Sequence, residues 1–232
     1  MYNYYHHFHN SVSNSSNFWG SFLGAFFAFI FGLIAYRITK KWERFVQHKN
    51  SLVKLDRVLN RHLDHLEILK VLASDSLRIL NENKLTPNRL YEIKIPDNLD
   101  MELGSIDIVN KLFSYQLYID KLNINTLHTN SALNRIEEVA VTGQKPHSDN
   151  IDFIKKMFTG ILADLTPLQE LTQDLLIVVR INYKKIEKET FLCGILRNHW
   201  DFEITETEIK NENCIFEKEV EIVKEKTMKG KL

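Results

Sequence analysis

The chain has 232 residues with 30 basic and 30 acidic side chains, so its formal net charge is +0 at pH 7. The overall charge therefore argues neither for a nucleic-acid partner nor for an acidic substrate, because proteins that bind either usually carry a surplus of positive charge. Only 8 glycines and 4 prolines interrupt long segments rich in Leu, Ile, Lys, Glu and Asn. Such a composition indicates helices, and we predict an all-α protein.

The first element is an uncharged apolar run over residues 18–36. About 19 residues at about 1.5 Å each reach about 28 Å, close to the thickness of the bilayer hydrocarbon. Trp19 at one end, and Tyr36 and Trp42 at the other, stand where interfacial aromatic residues are common. A cleavable signal peptide fits poorly, because the basic residues follow this run instead of preceding it. The run therefore predicts one transmembrane helix.

The basic segment that follows, residues 37–50, predicts how this helix is oriented. It carries a surplus of about four positive charges, which the positive-inside rule retains in the cytoplasm. The uncharged residues 1–17 are easily translocated and form a predicted extracytoplasmic tail. We thus predict a single-pass protein of the inner (plasma) membrane with its N-terminus outside. The cations expected to set topology and to contact lipid headgroups are Arg37, Lys40, Lys41, Arg44 and Lys49.

A ridge of small residues repeats every four positions within the apolar run. It consists of Gly20, Gly24, Ala28 and Gly32, whereas Phe22, Phe26, Phe29 and Leu33 form a bulky face elsewhere. Small residues at this spacing let helix backbones approach closely in lipid, where packing drives association. We therefore expect the transmembrane helix to self-associate, and the protein to be a homo-oligomer.

A cytoplasmic helical bundle is predicted over residues 51–190. Neither Gly nor Pro occurs between Gly32 and Pro87, so a long juxtamembrane helix ending around 81–84 is expected, and with it a further contribution to self-association. A break with two prolines follows at 85–105 and includes a short predicted strand over 91–95. The juxtamembrane helix carries a heptad-like seam formed by Leu52, Leu55, Leu59, His62, Leu66, Leu69, Ala73, Leu77 and Leu80.

The remaining helices of the bundle are separated by Gly, Pro and capping residues. A second helix is expected from about Ser105 to Val141, and a third begins at Ser148 or Asp149. The stretch 166–169 (TPLQ) has the composition of a helix start with a capping box, so Pro167 either begins a fourth helix, about 167–189, or kinks a longer one. Short connections between such helices favour an antiparallel bundle of three to four helices.

The C-terminal segment, residues 191–232, is heavily charged and alternates weakly between apolar and polar residues. We predict either a small hairpin that turns near 211–213 or a mobile tail. Cys193 and Cys214 show neither CxxC nor metal-ligand spacing, so we expect reduced thiols.

The sequence contains no GxxxxGK[ST], GxGxxG, HExxH, GxSxG or EF-hand spacing, so we expect no cofactor. The absence of these motifs makes an enzyme less expected but does not exclude one. His6, His7 and His9 could bind a transition metal, but a flexible tail would lose much entropy in doing so, and no metal site is predicted there. His62 and His65 share a helix face. They would need ligands from another helix or another subunit to hold a metal, and the other interpretation is a polar pair that fixes helix register.

The spacing Arg57-x4-His62 occurs in the HEPN ribonucleases, in which Arg and His of two protomers meet across a dimer and cleave RNA with the 2′-hydroxyl as nucleophile. Val58 replaces the polar residue that usually follows the Arg in that family. A membrane helix followed by a small helical domain with this motif resembles the HEPN-like membrane accessory proteins of type VI-B CRISPR systems. The resemblance covers the whole layout and implies a membrane effector of bacterial phage defence.

Two functions are therefore considered. The leading hypothesis is a self-associating membrane protein whose bundle senses or docks a protein or nucleic-acid-bearing partner, with membrane disruption in antiviral defence as its output. The alternative is a membrane-anchored ribonuclease that uses Arg57 and His62.

Overall fold

The structure, a computed structural model, describes residues 3–82, 84, 87–95, 103–189, 200 and 202–229, without the side chains of residues 3–17 and 223–229. Within these ranges the chain forms four helices and no strand. The helices are α1 (Asn3–Asn81), α2 (Ile106–Val141), α3 (Ser148–Lys188) and α4 (Glu206–Lys229). The predicted all-α class, with a long N-terminal apolar helix and a bundle, is confirmed.

Helix α1 is a single unbroken helix of 79 residues. No proline falls within it, and it ends at Asn81 as the sequence predicts. Ser76, and not Leu77, fills the buried position after Ala73, because the Ser76 hydroxyl bonds both the backbone N–H (3.0 Å) and the carbonyl (3.2 Å) of Asn88. Leu77 is partly buried. The other predicted seam positions are all buried: Leu52, Leu55, Leu59, His62, Leu66, Leu69, Ala73 and Leu80.

Helix α3 is the central helix and packs against α1, α2 and α4. It runs antiparallel to α1, because Lys49 pairs with Glu187 (3.6 Å) at the end of the bundle nearer the apolar part of α1, and Glu67 accepts from Gln169 (3.1 Å) farther along. The consecutive residues 175–179 (LLIVV) are all buried. A helix that is apolar on every side needs neighbours on every side, and this run accordingly occupies the middle of the bundle.

Of the two alternatives at Pro167, the helix start is excluded, because Pro167 lies inside the continuous helix α3. A proline inside a helix costs about 3 kcal/mol. Burial of Leu165 and Leu168, on either side of it in the core, offsets that cost. Gln169 therefore closes no capping box, and its side chain bonds Glu67 on α1 instead.

The segment 87–95 is extended, but the predicted strand does not form, since no sheet partner lies beside it among the described residues. Two asparagines of α2 take the place of a partner strand. Asn130 bonds the backbone N–H (3.1 Å) and carbonyl (2.7 Å) of Leu90. Asn123 bonds the same two groups of Ile93 at 2.9 and 2.8 Å. The segment is thereby fixed between α1 and α2 with its buried backbone groups satisfied.

This segment also decides the direction of α2. It begins beside Ser76 of α1, whereas Gly104, just before α2, lies at the other end of the bundle, where its N–H donates to His48. Helix α2 therefore runs parallel to α1 and antiparallel to α3. Ser105 caps α2, and Gly143, with φ 76°, follows its end. The buried face of α2 contains every predicted core position: Ile108, Leu112, Tyr115, Ile119, Leu122, Leu133 and Ile136.

The C-terminal segment forms neither a hairpin nor a tail over 206–229, because these residues are the helix α4. A capping box begins it: the Thr205 hydroxyl accepts from the Glu208 N–H (3.3 Å), and the Glu208 carboxylate accepts from the Thr205 N–H (2.9 Å). Glutamates of α4 then face cations of α3. These ion pairs hold α4 against α3, because α4 is too highly charged to be held by a buried core alone.

Candidate functional site: the apolar span and its junction with the bundle

One helix of the described structure, α1, is long and apolar enough to cross a membrane. Its apolar part, residues 18–36, packs against no other element, and its large side chains are exposed, among them Phe22, Phe29 and Phe31. A contiguous apolar surface of this extent is unfavourable in water and fits the hydrocarbon of a bilayer. We refer to residues 18–36 as the span.

The small-residue ridge lies on the surface of the span. A Cβ atom added at Gly20, Gly24 or Gly32 would meet nothing within 4 Å, and Ala28 is exposed. The rings of Phe18, Phe22 and Phe26 stack along the helix, with centroids 6.5 and 6.4 Å apart. Residues two positions apart point in nearly opposite directions on a helix, so this aromatic row lies opposite the ridge. Self-association through the ridge stays a prediction.

The end of the ridge nearer the bundle points away from the bundle. Gly32 precedes the buried Leu52 by about 20 residues, which is about five and a half turns at 3.6 residues per turn. The two residues therefore lie about half a turn apart on α1. Because Leu52 faces the bundle, Gly32 faces the opposite side of α1. On that side, the bundle of the first copy does not block the approach of a second copy to Gly32.

The predicted topology residues fall into two groups. Arg37, Lys40 and Arg44 are exposed and Lys41 is half-buried, so these cations lie near the level expected for lipid headgroups. Lys40 pairs with Glu43 at 3.2 Å. Lys49 is engaged within the chain, since its ammonium lies 3.6 Å from the Glu187 carboxylate and 5.3 Å from the Tyr183 ring centroid. Lys49 therefore ties α1 to α3.

An aromatic cluster marks the point at which α1 enters the bundle. Trp42 stacks on Phe45 with centroids 5.4 Å apart, and Phe45 lies 6.0 Å from Trp200. The His48 ring stacks on Trp200 at 5.1 Å and 13°. Phe45, His48 and Trp200 are buried, whereas Trp42 is partly exposed. We call these four residues the junction cluster.

Gly104 connects the junction cluster to the start of α2. Its N–H donates to His48 Nδ1 at 2.8 Å, and its carbonyl accepts from the backbone N–H of Trp200 at 3.2 Å. A Cβ at this position would lie 2.1 Å from Cε3 of Trp200, so only glycine allows the indole to approach this closely. Three distant parts of the chain, at 48, 104 and 200, are thus held together at one level of α1.

Ion pairs link α1, α3 and α4 just beyond the junction cluster. Arg180 of α3 donates to Asp56 of α1 and to Glu219 of α4, both at 2.8 Å. The neighbouring Lys184–Glu212 (2.5 Å) and Lys185–Glu208 (2.9 Å) pairs join α3 to α4. Arg180 is largely buried, which strengthens its interactions relative to an exposed pair. A displacement of α4 therefore acts on α1 through one guanidinium group.

His62 is a packed core residue. Its Nε2 lies 3.2 Å from the Lys94 carbonyl and its Nδ1 lies 2.8 Å from the Tyr115 hydroxyl. Because a carbonyl only accepts, Nε2 carries the hydrogen and Nδ1 accepts from Tyr115. Burial lowers the pKa of His62 and raises the pKa of Tyr115, which favours the neutral form of both groups.

Arg57 and His62 are not brought together within the chain. Arg57 is exposed, whereas both ring nitrogens of His62 are already bonded inside the core. A ribonuclease would need the imidazole to reach RNA, so this placement gives the ribonuclease hypothesis no support. It fits the other interpretation, in which His62 is a polar seam residue that fixes register.

The described residues contain no group of three or more His, Cys, Asp or Glu side chains that could hold a metal ion. The side chains of His6, His7 and His9 lie outside the described part of the structure, and so does Cys193. Cys214 is a free and exposed thiol, as predicted.

The residues that build the junction could not be predicted from the sequence. His48, Gly104 and Trp200 are far apart in the chain, and no local pattern links them. The one available indication was a large aromatic, Trp200, beside a charged segment in which burial was not expected. No family model, curated protein or solved structure matches this chain.

Proposed function

We propose that the protein is a single-pass membrane protein that self-associates through its span, and whose cytoplasmic bundle docks a partner and transmits its own state to the span. The single observation that carries this proposal is the continuity of α1. The helix that is apolar on all sides over residues 18–36 is the same helix that provides the core seam of the bundle. A change in bundle packing therefore acts on the span without an intervening hinge.

The junction cluster supports a transmitting role. His48 and Phe45 are clamped by Trp200 and Gly104, which belong to other parts of the chain, and Asp56 is bonded by Arg180. A partner that displaces α3 or α4 would release these contacts on one side of α1. Rotation or tilt of α1 then changes which face of the span meets a neighbouring copy.

The proposed output is a change in the membrane. Residues 18–36 include no Asp, Glu, Lys, Arg or His, so a pore would be an oligomer lined by Gly, Ala and Ser and opened by helix rotation. A role in phage defence, which the architectural resemblance implies, is part of this proposal. Genes for a reverse transcriptase, a nucleotide cyclase or a Cas effector beside this one would support it.

Topology is tested with reporters fused to either terminus. A reporter that functions only in the cytoplasm should be active after Leu232 and inactive before Met1, because the basic segment retains the C-terminal side. A reporter that functions only outside should give the reverse pattern. Activity of the cytoplasmic reporter at the N-terminus would overturn the proposed orientation.

Self-association is tested by substitution within the span. Gly24→Ile places a branched side chain on the uncovered ridge and should abolish the oligomer detected by crosslinking in membranes and by size analysis in detergent. Phe29→Trp, on a different face, is the matched control and should assemble like the wild type. A Gly24→Ile protein that assembles normally would show that the ridge is no contact surface.

A further inference from the structure

Helix α2 carries a second unpartnered apolar surface, far from the span. Its five residues are between 53% and 62% exposed, although they belong to the most apolar residue types. They lie on the side of α2 opposite the buried positions such as Tyr115 and Leu122, so no described element covers them. We call this surface the α2 face, and it consists of Ile106, Phe113, Leu117, Ile124 and Leu127.

The spacing of the α2 face follows a heptad repeat. Steps of seven, four, seven and three residues separate its members, so Ile106, Phe113 and Leu127 fall at d sites of a two-stranded coiled coil, and Leu117 and Ile124 fall at a sites. Asn110 fills the a site between Ile106 and Phe113, and a single Asn at such a site favours a parallel pair in register. This periodicity lies on the exposed side of α2, so the bundle of the same chain does not use it.

The charges that flank the α2 face are already paired within the chain. Asp107 bonds Lys111 at 2.9 Å, and Lys121 bonds Asp164 of α3 at 2.8 Å. Asp120 is the charged residue that falls at a core site of the repeat, between Leu117 and Ile124. A face that is apolar, low in charge and repetitive fits an identical helix better than a charged ligand.

The area suffices for a specific contact. At about half exposure each of the five side chains presents about 100 Å², so two copies would bury roughly 1,000 Å² of apolar residues, near the lower limit for a specific interface. We propose that the α2 face is a dimer interface whose occupant is the α2 face of a second copy of this chain.

The orientation of this dimer rests on the proposed function. Two copies anchored in one membrane are related by a two-fold axis perpendicular to it, and α2 runs parallel to α1. The two α2 helices therefore pair in parallel, and each face residue meets its own counterpart. Asp120 then meets a second carboxylate, which weakens the dimer, and confinement to the membrane compensates by raising the local concentration.

Disulfide crosslinking of the full chain in its membrane tests the proposal. In a protein with Cys193 and Cys214 changed to Ser, Phe113→Cys and Ile124→Cys should each form disulfide-linked dimers under mild oxidation, because like positions approach within bonding range only at a and d sites. Gln116→Cys, exposed on α2 but outside the face, is the control. We expect at least about fivefold more dimer at the two face positions than at the control.

Two charge variants test the same interface with opposite signs. Leu117→Asp adds a pair of buried like charges and should lower the crosslinked fraction at position 113 about tenfold, whereas Asp120→Leu removes such a pair and should raise it. Circular dichroism of both variants checks that the bundle remains folded. Equal crosslinking in all variants, or a dimer fraction at 113 and 124 no higher than at 116, would overturn the proposal, and so would docking of a different protein on this face.

The proposed contact through the span and the proposed contact through the α2 face can be tested separately. A cysteine at Gly24 reports self-association of the span, on which the proposed function depends. Crosslinking at position 24 without crosslinking at 113 or 124 overturns the α2 interface and leaves the proposed function standing. Crosslinking at 113 and 124 that survives Gly24→Ile shows that the α2 face associates independently of the ridge.

Discussion

The two halves of α1 differ in how their apolar residues are distributed around the helix. The inner half, residues 45–81, places apolar residues on one stripe and polar residues on the other, and the stripe is buried by the bundle. The outer half, from Phe18 to Tyr36, is apolar on every side, and no other described element of the chain touches it. The helix is continuous across both halves, so its backbone does not distinguish them.

This difference teaches that the arrangement of the side chains around the helix sets the medium each half requires. A stripe is satisfied by neighbouring helices, which fix its rotation. A surface that is apolar all round is satisfied by lipid, which leaves rotation free until a second helix packs on it. The packing of the inner half therefore fixes the rotation of α1. In the proposed function, the outer half changes its contacts when that rotation changes.

The largest expected effect removes the apolar character of the outer half. Leu23→Arg with Phe27→Arg should cost about 5–7 kcal/mol of insertion free energy, since each Arg costs about 2.5–3.5 kcal/mol at the centre of a membrane helix. Ile68→Arg with Val71→Arg, at exposed positions of the inner half, should leave the membrane fraction unchanged. Alkaline extraction of membranes measures both. Equal extraction of the two proteins would contradict the distinction between the halves.

The next effect concerns packing in the inner half. Leu66→Ala removes a fully buried side chain and should lower the free energy of unfolding by about 2–5 kcal/mol, the usual cost of such a cavity. Leu33→Ala, at an exposed site of the span, should leave it unchanged. Denaturant unfolding in detergent, followed by circular dichroism, provides the comparison. The prediction is wrong if the two midpoints shift together.

A smaller effect is expected where the two halves join. Gly104→Ala forces a Cβ against the Trp200 ring and should cost about 1–3 kcal/mol of stability, as overpacking usually does. Gly160→Ala is the matched change in α3, where a Cβ meets nothing within 4 Å. A helical Gly→Ala change should stabilise by about 0.5–1 kcal/mol. Opposite signs in thermal unfolding would confirm the close approach, and the same sign would contradict it.

The smallest effect concerns the docking of α4. The Thr205 N–H, and after it Lys185, lower the pKa of Glu208 to about 2 from the ordinary 4.5. Because the folded-state pKa lies below the unfolded value, the stabilisation is complete above about pH 4.5 and is lost as the pH falls toward 2. A spin label on Cys214 should show α4 becoming more mobile over that range. Glu208→Gln should remove this pH dependence, and a mobility that still changes with pH in this variant would exclude Glu208 as its source.

Sequence periodicity predicted which face of each core helix is buried. The seam from Leu52 to Leu80 and the face from Ile108 to Ile136 could be found because a helix buries every third or fourth residue, whatever its neighbour is. The ends of α2 could be found because Ser105 and Gly143 have local backbone roles. These features depend on residues close together in the chain.

The missed features depend on contacts between distant residues. Pro167 stays inside α3 because leucines on both sides of it are buried in the core. A rule based on the local sequence takes into account only that proline lacks a backbone N–H. Helix α4 is held by Arg180, Lys184 and Lys185, which lie in another helix, although the capping residues Thr205 and Glu208 were a readable local sign of its start. The segment 87–95 is strand-like in sequence, and only the structure shows that Asn123 and Asn130 replace the sheet.

The half-turn between Gly32 and Leu52 has a geometric consequence for assembly. It places the bundle-side end of the ridge on the side of α1 away from the bundle, whereas the α2 face lies on the periphery of the bundle itself. If both proposed contacts form, one copy has two different symmetric contacts, each with its two-fold axis along the membrane normal. Two successive rotations about parallel two-fold axes amount to a pure translation, so copies that use both contacts form a straight, open row in the plane of the membrane. The length of such a row is limited by the supply of protein, because this symmetry contains no operation that closes it.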